Sequence, residues 1–182
     1  MNKTLASYRC EYKKKGHGMA IENTPVFIKP GTEMFESYIK RNLEDVGEIV
    51  FSRRITLNEF QLKAVYPNTE GELWSITLRR MLWKRVLVMV VRGESVIEKV
   101  VDLIGTKVDP LDCDKDSIRR YIQNFALRRN DHDLFINTLP ELCSDGVTVF
   151  YPNHVHRATN TDEANVHMKA LLNGDYERLM NR

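Results

Sequence analysis

Val86-Leu87-Val88-Met89-Val90-Val91 is the longest unbroken apolar run in the 182-residue chain. It leads through Arg92-Gly93-Glu94 into Ser95-Val96-Ile97-Glu98-Lys99-Val100-Val101-Asp102-Leu103-Ile104-Gly105. A strand with no polar alternation has both faces covered. Ser95 and Glu98 have the spacing of a capping box, which opens a helix. Ile97, Val100, Val101 and Ile104 then share one helical face, and Gly105 ends the helix. A fully covered strand running straight into an amphipathic helix belongs to a layered sheet-and-helix fold.

The same periodicities extend to both sides. Pro25 to Lys29 is a short buried strand closed by Pro30-Gly31. Phe35, Tyr38, Ile39, Leu43 and Val46 share a helical face, and Gly47 stops that helix. Glu48 to Leu57 reads as a strand. Thr56 with Glu59, and Thr69 with Glu72, repeat the capping-box spacing. They predict two helices near 57–66 and 70–83, parted at Pro67. Beyond Gly105, Ser117 to Phe125 forms a short helix, and 126–146 is irregular and polar. Thr148 to Val155 is a last strand interrupted by Pro152. Asn160 with Glu163 caps a final helix, whose Ala164, Met168, Leu171 and Leu172 face inward. The order predicts an α+β fold: a ferredoxin-like split βαβ antiparallel sheet with helices on it. Residues 1–24 stand apart as an N-terminal extension carrying Lys13-Lys14-Lys15. Residues 25–182 form the domain, with an insertion at about 126–147.

Bulk properties narrow the function classes. Lys and Arg number 27 against 25 Asp and Glu, a net charge of +2. So small a surplus argues against a nucleic-acid binder, as does the missing aromatic RNA-binding motif. Cys10, Cys113 and Cys143 are an odd count without paired spacing, which suits a reducing cytoplasm rather than a disulfide framework. No run is long enough for a membrane span. The Gly16-His17-Gly18 turn lacks both the strand before and the Gly-Lys-Ser/Thr end of a phosphate loop. Cys113, His132, Cys143 and His154 match no structural zinc spacing, so no metal ligands are assigned.

What remains is a set of cations, aromatics and one histidine-rich segment. Lys29 ends the first strand beside a turn, where it is either a phosphate contact or a plain surface lysine. Tyr66 and Trp74 bracket the helix pair, as core aromatics or as a stacking surface for a base. Arg119, in Ser117-Ile118-Arg119-Arg120, offers a planar fork for phosphate oxygens or a solvated helix face. Asn153-His154-Val155-His156 ends the last strand just before a helix start, and alternation puts His154 and His156 on one side. A neutral imidazole beside a helix N-terminus can attack a phosphoryl group and hold it covalently. Either histidine is equally a hydrogen-bonded strand-edge residue.

Taken together and in this order, the segments resemble the nucleoside diphosphate kinase family from about residue 25 to about residue 172. Val26-Phe27-Ile28-Lys29-Pro30 is similar to the family's opening strand with its phosphate-contacting lysine. Tyr66 falls at the active-site tyrosine, and Trp74 at the phenylalanine that stacks on the base. Gly105 to Pro110 resembles the Gly-x-Thr-Asp/Asn-Pro loop, and Ser117-Ile118-Arg119 the family's Thr-Ile-Arg. Asn153-x-x-His156 matches the core of the signature around the phosphorylated histidine. The resemblance implies a phosphotransferase in which His156 carries the γ-phosphoryl group of a nucleoside triphosphate to a nucleoside diphosphate. Lys29, Tyr66, Trp74, Arg119 and Asn153 would bind nucleotide, and Mg²⁺ would arrive with it. It implies a homo-oligomer as well.

The departures cluster at the signature. After the histidine the family continues Gly-Ser-Asp; here Arg157-Ala158-Thr159 follow, so the assisting serine is Ala158. The glutamate that orients the histidine, eleven residues on, is His167. A phosphate-contacting arginine of the helix before Gly105 falls at Val101. The loop threonine is matched by either Thr106 or Val108. The 33 residues between Arg119 and Asn153 far exceed the family's short connection. These changes leave an alternative expectation: a weak or inactive nucleotide-binding module of the same fold.

Overall fold

The computed structural model describes residues 20–129 and 140–181. The chain runs from strand β1 (Ile21–Ile28) through helix α1 (Glu36–Glu44) to strand β2 (Glu48–Thr56). Helices α2 (Glu59–Val65) and α3 (Gly71–Met81) precede strand β3 (Arg85–Glu94), helix α4 (Val96–Ile104) and helix α5 (Ile118–Arg129). A hairpin of β4 (Glu141–Leu142) and β5 (Val149–Phe150) leads to strand β6 (Val155–Arg157), then to helices α6 (Thr161–Leu172) and α7 (Asp175–Met180).

Four strands form one sheet in the order β2-β3-β1-β6, each neighbouring pair antiparallel. β1 and β2 flank β3, while β3 and β6 flank β1. Two strand–helix–strand units therefore interleave, which is the ferredoxin-like arrangement the sequence predicts. Val26, Ile28, Leu87, Met89, Val91 and Val155 face α1, α4 and α5. Phe27, Val86, Val88 and Val90 face the layer of α2, α3 and α6. Coverage on both faces is why β1 and β3 lack alternation. Each such fully buried aliphatic side chain stabilises the sheet by about 1.5–3 kcal/mol.

Several boundaries differ from the sequence reading. β1 begins at Ile21, four residues inside the expected extension, because Ile21, Glu22 and Asn23 pair with the polar end of β3. The remainder of that extension, residues 1–19 with Lys13 to Lys15, lies outside the described residues. Asn58, not Thr56, caps α2: its side chain accepts from Gln61 N, and the Gln61 side chain accepts from Asn58 N. Thr56 is held in β2 opposite Arg85. Glu70 rather than Thr69 stands at the N-cap of α3 and makes no side-chain cap bond. Ser95 does not cap α4 either; it sits at φ 49°, and the Glu22 carboxylate accepts from Ile97 N at 3.2 Å. Asn160 does cap α6, accepting from Glu163 N at 2.9 Å.

The expected last strand is divided. Val149–Phe150 pairs with Glu141–Leu142, and only Val155–Arg157 joins the main sheet. Pro152 lies between them, where Asn153 N bonds back to Tyr151 O. Of the insertion, residues 130–139 lie outside the described set, while its start continues α5 to Arg129. Among the described residues no helix is long and apolar enough to cross a membrane.

Candidate active site

The sheet end formed by Ile28 and Val155 sets the site. Lys29 follows β1 directly, and its backbone N–H donates to His154 O at 3.0 Å. Tyr66 ends α2, its N–H still bonded to Leu62 O. Asn153 enters β6. These three residues, with Leu73, Thr77 and Arg80 of α3, line a cleft. Lys29 Nζ lies 5.5 Å from the Tyr66 ring centroid and has no hydrogen bond or ion pair among the described residues. Among the described residues, Tyr66 Oη and Asn153 Oδ1 are buried without a partner. Buried polar atoms are paired in the great majority of cases, so two orphans beside an unpaired ammonium mark a ligand's place.

Burial, then the nearby Arg119 and Arg80 guanidinium groups, lower the Lys29 amine to about 7. Burial pushes the Tyr66 phenol up. Arg80 was not signalled by the sequence, because an Arg79-Arg80 pair near a helix end is common on solvated faces. In the folded chain Arg80 Nη2 donates to Glu141 at 3.0 Å, and the guanidinium covers the Phe150 ring.

His156 pairs with Phe27 across β6 and β1. Its ring stacks on Phe27 with centroids 4.8 Å apart, meets the Tyr66 ring edge-on at 5.1 Å, and is 8% exposed. It stands behind Tyr66 rather than in the cleft wall. Burial first, then His167, Lys29, Arg119 and Arg157, hold its pKa well below the usual imidazole value, so the ring is neutral. His156 Nε2 lies 3.3 Å from His167 Nδ1. His167 Nε2 in turn faces Glu163 Oε1 at 3.7 Å. The Val65 carbonyl also accepts from the His167 ring.

His154 does not share a side with His156. It precedes β6 in a bend, where strand alternation does not apply, and its Nε2 meets Gln123 Oε1 of α5 at 3.1 Å. Burial, reinforced by Lys29 and Arg119, lowers it to about 3.

Arg119 is buried beneath the cleft. Its Nε and Nη2 donate to Val155 O, and Nη1 to Gly105 O and Lys107 O. Four of its five N–H groups are thereby spent on backbone carbonyls. It braces β6 against the loop after α4 and adds positive potential. Arg157 Nη2 also donates to Gly105 O, at 2.8 Å, and its Nε is buried without a partner. Trp74 does not line the cleft. It packs on the core of its layer, with Lys63 Nζ 5.1 Å from its ring centroid. Ala158 is fully buried against Ile97 and Ala164. Its side chain therefore packs under α4 and α6, where a hydroxyl would lack an easy partner.

No family model matches the chain, and no curated protein does. Solved structures do. The structure of a nucleoside diphosphate kinase from Borrelia burgdorferi, a transition state mimic with bound vanadate and ADP, superposes with a TM-score of 0.65 at 17% identity. That match covers 87% of this chain and 91% of the other. The enzyme from Encephalitozoon cuniculi gives 0.61 at 20% identity, over 85% and 91%. That from Pyrobaculum aerophilum gives 0.59 at 17%, over 86% and 98%. This is the nucleoside diphosphate kinase fold. Identity to these three structures is only 17–20%, and before β6 the chain carries the β4–β5 hairpin. That hairpin rests on α3 through Glu141 with Arg79 and Arg80, and through Ser144 N with Glu72 at 2.8 Å.

Proposed function

We propose that the chain binds nucleoside di- and triphosphates in the Lys29–Tyr66–Asn153 cleft and passes the γ-phosphoryl group through His156. The observation that carries this is the convergence of an unpaired ammonium and two orphan polar atoms one ring away from a neutral histidine. With the Tyr66 ring moved aside, a lone pair of the neutral His156 ring attacks the γ-phosphorus, the bond to the bridging oxygen breaks, and the nucleoside diphosphate leaves with that electron pair. A second diphosphate's terminal oxygen then attacks the phosphohistidine, and the P–N bond breaks. Lys29 and Arg80 offset the developing charge, and Asn153 and Tyr66 orient the ligand. Magnesium would arrive with the nucleotide; among the described residues no carboxylate lines the cleft, so phosphate and water oxygens would hold it.

Phosphoryl transfer depends mostly on positioning and charge. Without the family's serine hydroxyl and helix arginine, turnover is expected to be slow, since each lost donor costs about 100- to 1000-fold. A second reading, nucleotide binding without turnover, is favoured by the burial of His156 and by the backbone engagement of Arg119. Incubation with γ-labelled ATP separates the two. Transfer predicts an acid-labile label on the wild type and none on His156→Ala. An unlabelled wild type that binds ATP in calorimetry selects the second reading, and equal labelling of His156→Ala ends the first. Homo-oligomer formation and a cytoplasmic location belong to the same proposal and rest on the family resemblance and on cysteine usage.

A further inference from the structure

The geometry points to a transition-metal site built from His156, His167 and Glu163. One ring nitrogen from each histidine and one carboxylate oxygen of Glu163 lie within 4.8 Å of one another. This set goes beyond the nucleotide cleft and does not rest on phosphotransfer.

The spacing of the two imidazoles suits zinc. Tetrahedral Zn²⁺ holds imidazole nitrogens at about 2.0–2.1 Å, which places two of them roughly 3.3–3.4 Å apart. His156 Nε2 and His167 Nδ1 are already 3.3 Å apart. A tilt of roughly 35° in each ring turns their lone pairs from facing one another to converging on one ion. Two elements fix the pair. β6 holds His156 opposite Phe27, and α6 holds His167 one turn beyond Glu163. Both histidines are more than nine-tenths buried and neutral, the form that ligates. Glu163 is partly exposed and supplies an entry path from solvent. Its Oε2 is already anchored by Thr159 N at 2.8 Å, which leaves Oε1, now 3.7 Å from His167 Nε2, to turn toward the ion.

Two imidazoles and one carboxylate favour Zn²⁺ over Mg²⁺, which demands oxygen ligands. Lys29, Arg119 and Arg157 all raise the local potential at His156. Only an ion that gains strongly from nitrogen ligands outweighs that repulsion. A bound ion replaces the proton shared by the histidines and withdraws electron density from the His156 ring. The site is thus a metal-sensitive brake on whatever nucleophilic chemistry His156 performs.

Cobalt(II), which absorbs visibly when four-coordinate, is the probe. Titration of the full chain is expected to give a saturable one-to-one spectrum that Zn²⁺ displaces. His167→Gln is expected to abolish it, and Glu163→Gln to weaken binding by more than ~100-fold, since even outer-shell changes cost about 10- to 100-fold. An unchanged cobalt affinity in Glu163→Gln overturns the assignment, whatever the fate of the histidine variant. So does a wild type that shows no saturable spectrum. Because the readout is absorbance, a chain that fails to transfer phosphate in the absence of added metal leaves this result intact.

Discussion

Lys29 is the residue whose charge state the fold controls most directly. Its amine falls from the ordinary 10.5 to about 7 because it is desolvated near Arg119 and Arg80 and has no acidic partner among the described residues. A triphosphate brings the missing negative charge and drives the pKa back up. At pH 8, where the free site is largely neutral, binding ATP is therefore expected to take up close to one proton. Calorimetry in two buffers of different ionisation enthalpy reads this as a difference in apparent enthalpy. Lys29→Met is expected to lose the uptake and to bind about 10- to 100-fold more weakly, the value of a charged hydrogen bond. Proton uptake that survives in Lys29→Met would assign it to another group. The sign for stability is fixed as well. The unfolded chain binds the Lys29 proton up to about pH 10.5 and the folded chain only to about 7, so this residue makes the free protein more stable as pH rises between the two.

At the scale of elements, Gly105 joins α4 to the site. Its φ is +116°, and a Cβ there would meet Cys113 Sγ at 2.7 Å and Ser117 Oγ at 3.2 Å. Its carbonyl accepts from both Arg119 and Arg157. Gly105→Ala is expected to cost about 2–4 kcal/mol from backbone strain and overpacking together, read as a shift in the denaturant midpoint. A loss below about 0.5 kcal/mol would show that the turn relaxes freely. The glycine was legible from sequence because it follows a strong helical periodicity. So were β1 and β3, whose apolar runs reflect burial on two faces. The helix caps were less legible: Thr56-x-x-Glu59 and Asn58-x-x-Gln61 overlap, and strand pairing of Thr56 decides between them. The division of 148–157 depends on a partner strand at Glu141–Leu142, a distant pairing that local pattern does not encode. Lys29, Tyr66 and Asn153 were singled out through the family resemblance, and the fold brings them to one cleft. The displacement of Trp74 from the cleft follows from which face of α3 the core claims.

For the whole molecule, the strongest electrostatic feature is three buried histidines with lowered pKa. His154 is set by burial, Lys29 and Arg119, and reaches about 3. His156 is set by burial, His167, Lys29, Arg119 and Arg157. His167 is lowered by burial against the opposing pull of Glu163. In the unfolded chain each titrates near 6.5, so below that pH the unfolded state binds protons that the folded state refuses. Stability is complete above about pH 6.5 and falls as the medium is acidified. His154, whose folded value lies below the whole window, contributes about 1.4 kcal/mol per pH unit, and His156 and His167 act in the same direction. Glu36, Glu141 and Asp145 have lowered carboxyl pKa values and pull in the same direction, but only nearer pH 4. Between pH 6.5 and 5 the loss from His154 alone is ~2 kcal/mol, a sizeable share of the roughly 5–15 kcal/mol by which domains are stable, and the other two add to it. Urea unfolding in the presence of a chelator, so that protons alone are read, is expected to show a midpoint that collapses over this window. His154→Gln, which keeps a hydrogen-bonding group opposite Gln123, is expected to flatten the slope by about 1.4 kcal/mol per pH unit. A profile flat from pH 7 to 5 would mean that the three imidazoles reach water in the folded state, and the closed packing of His156 behind Tyr66 would have to be abandoned.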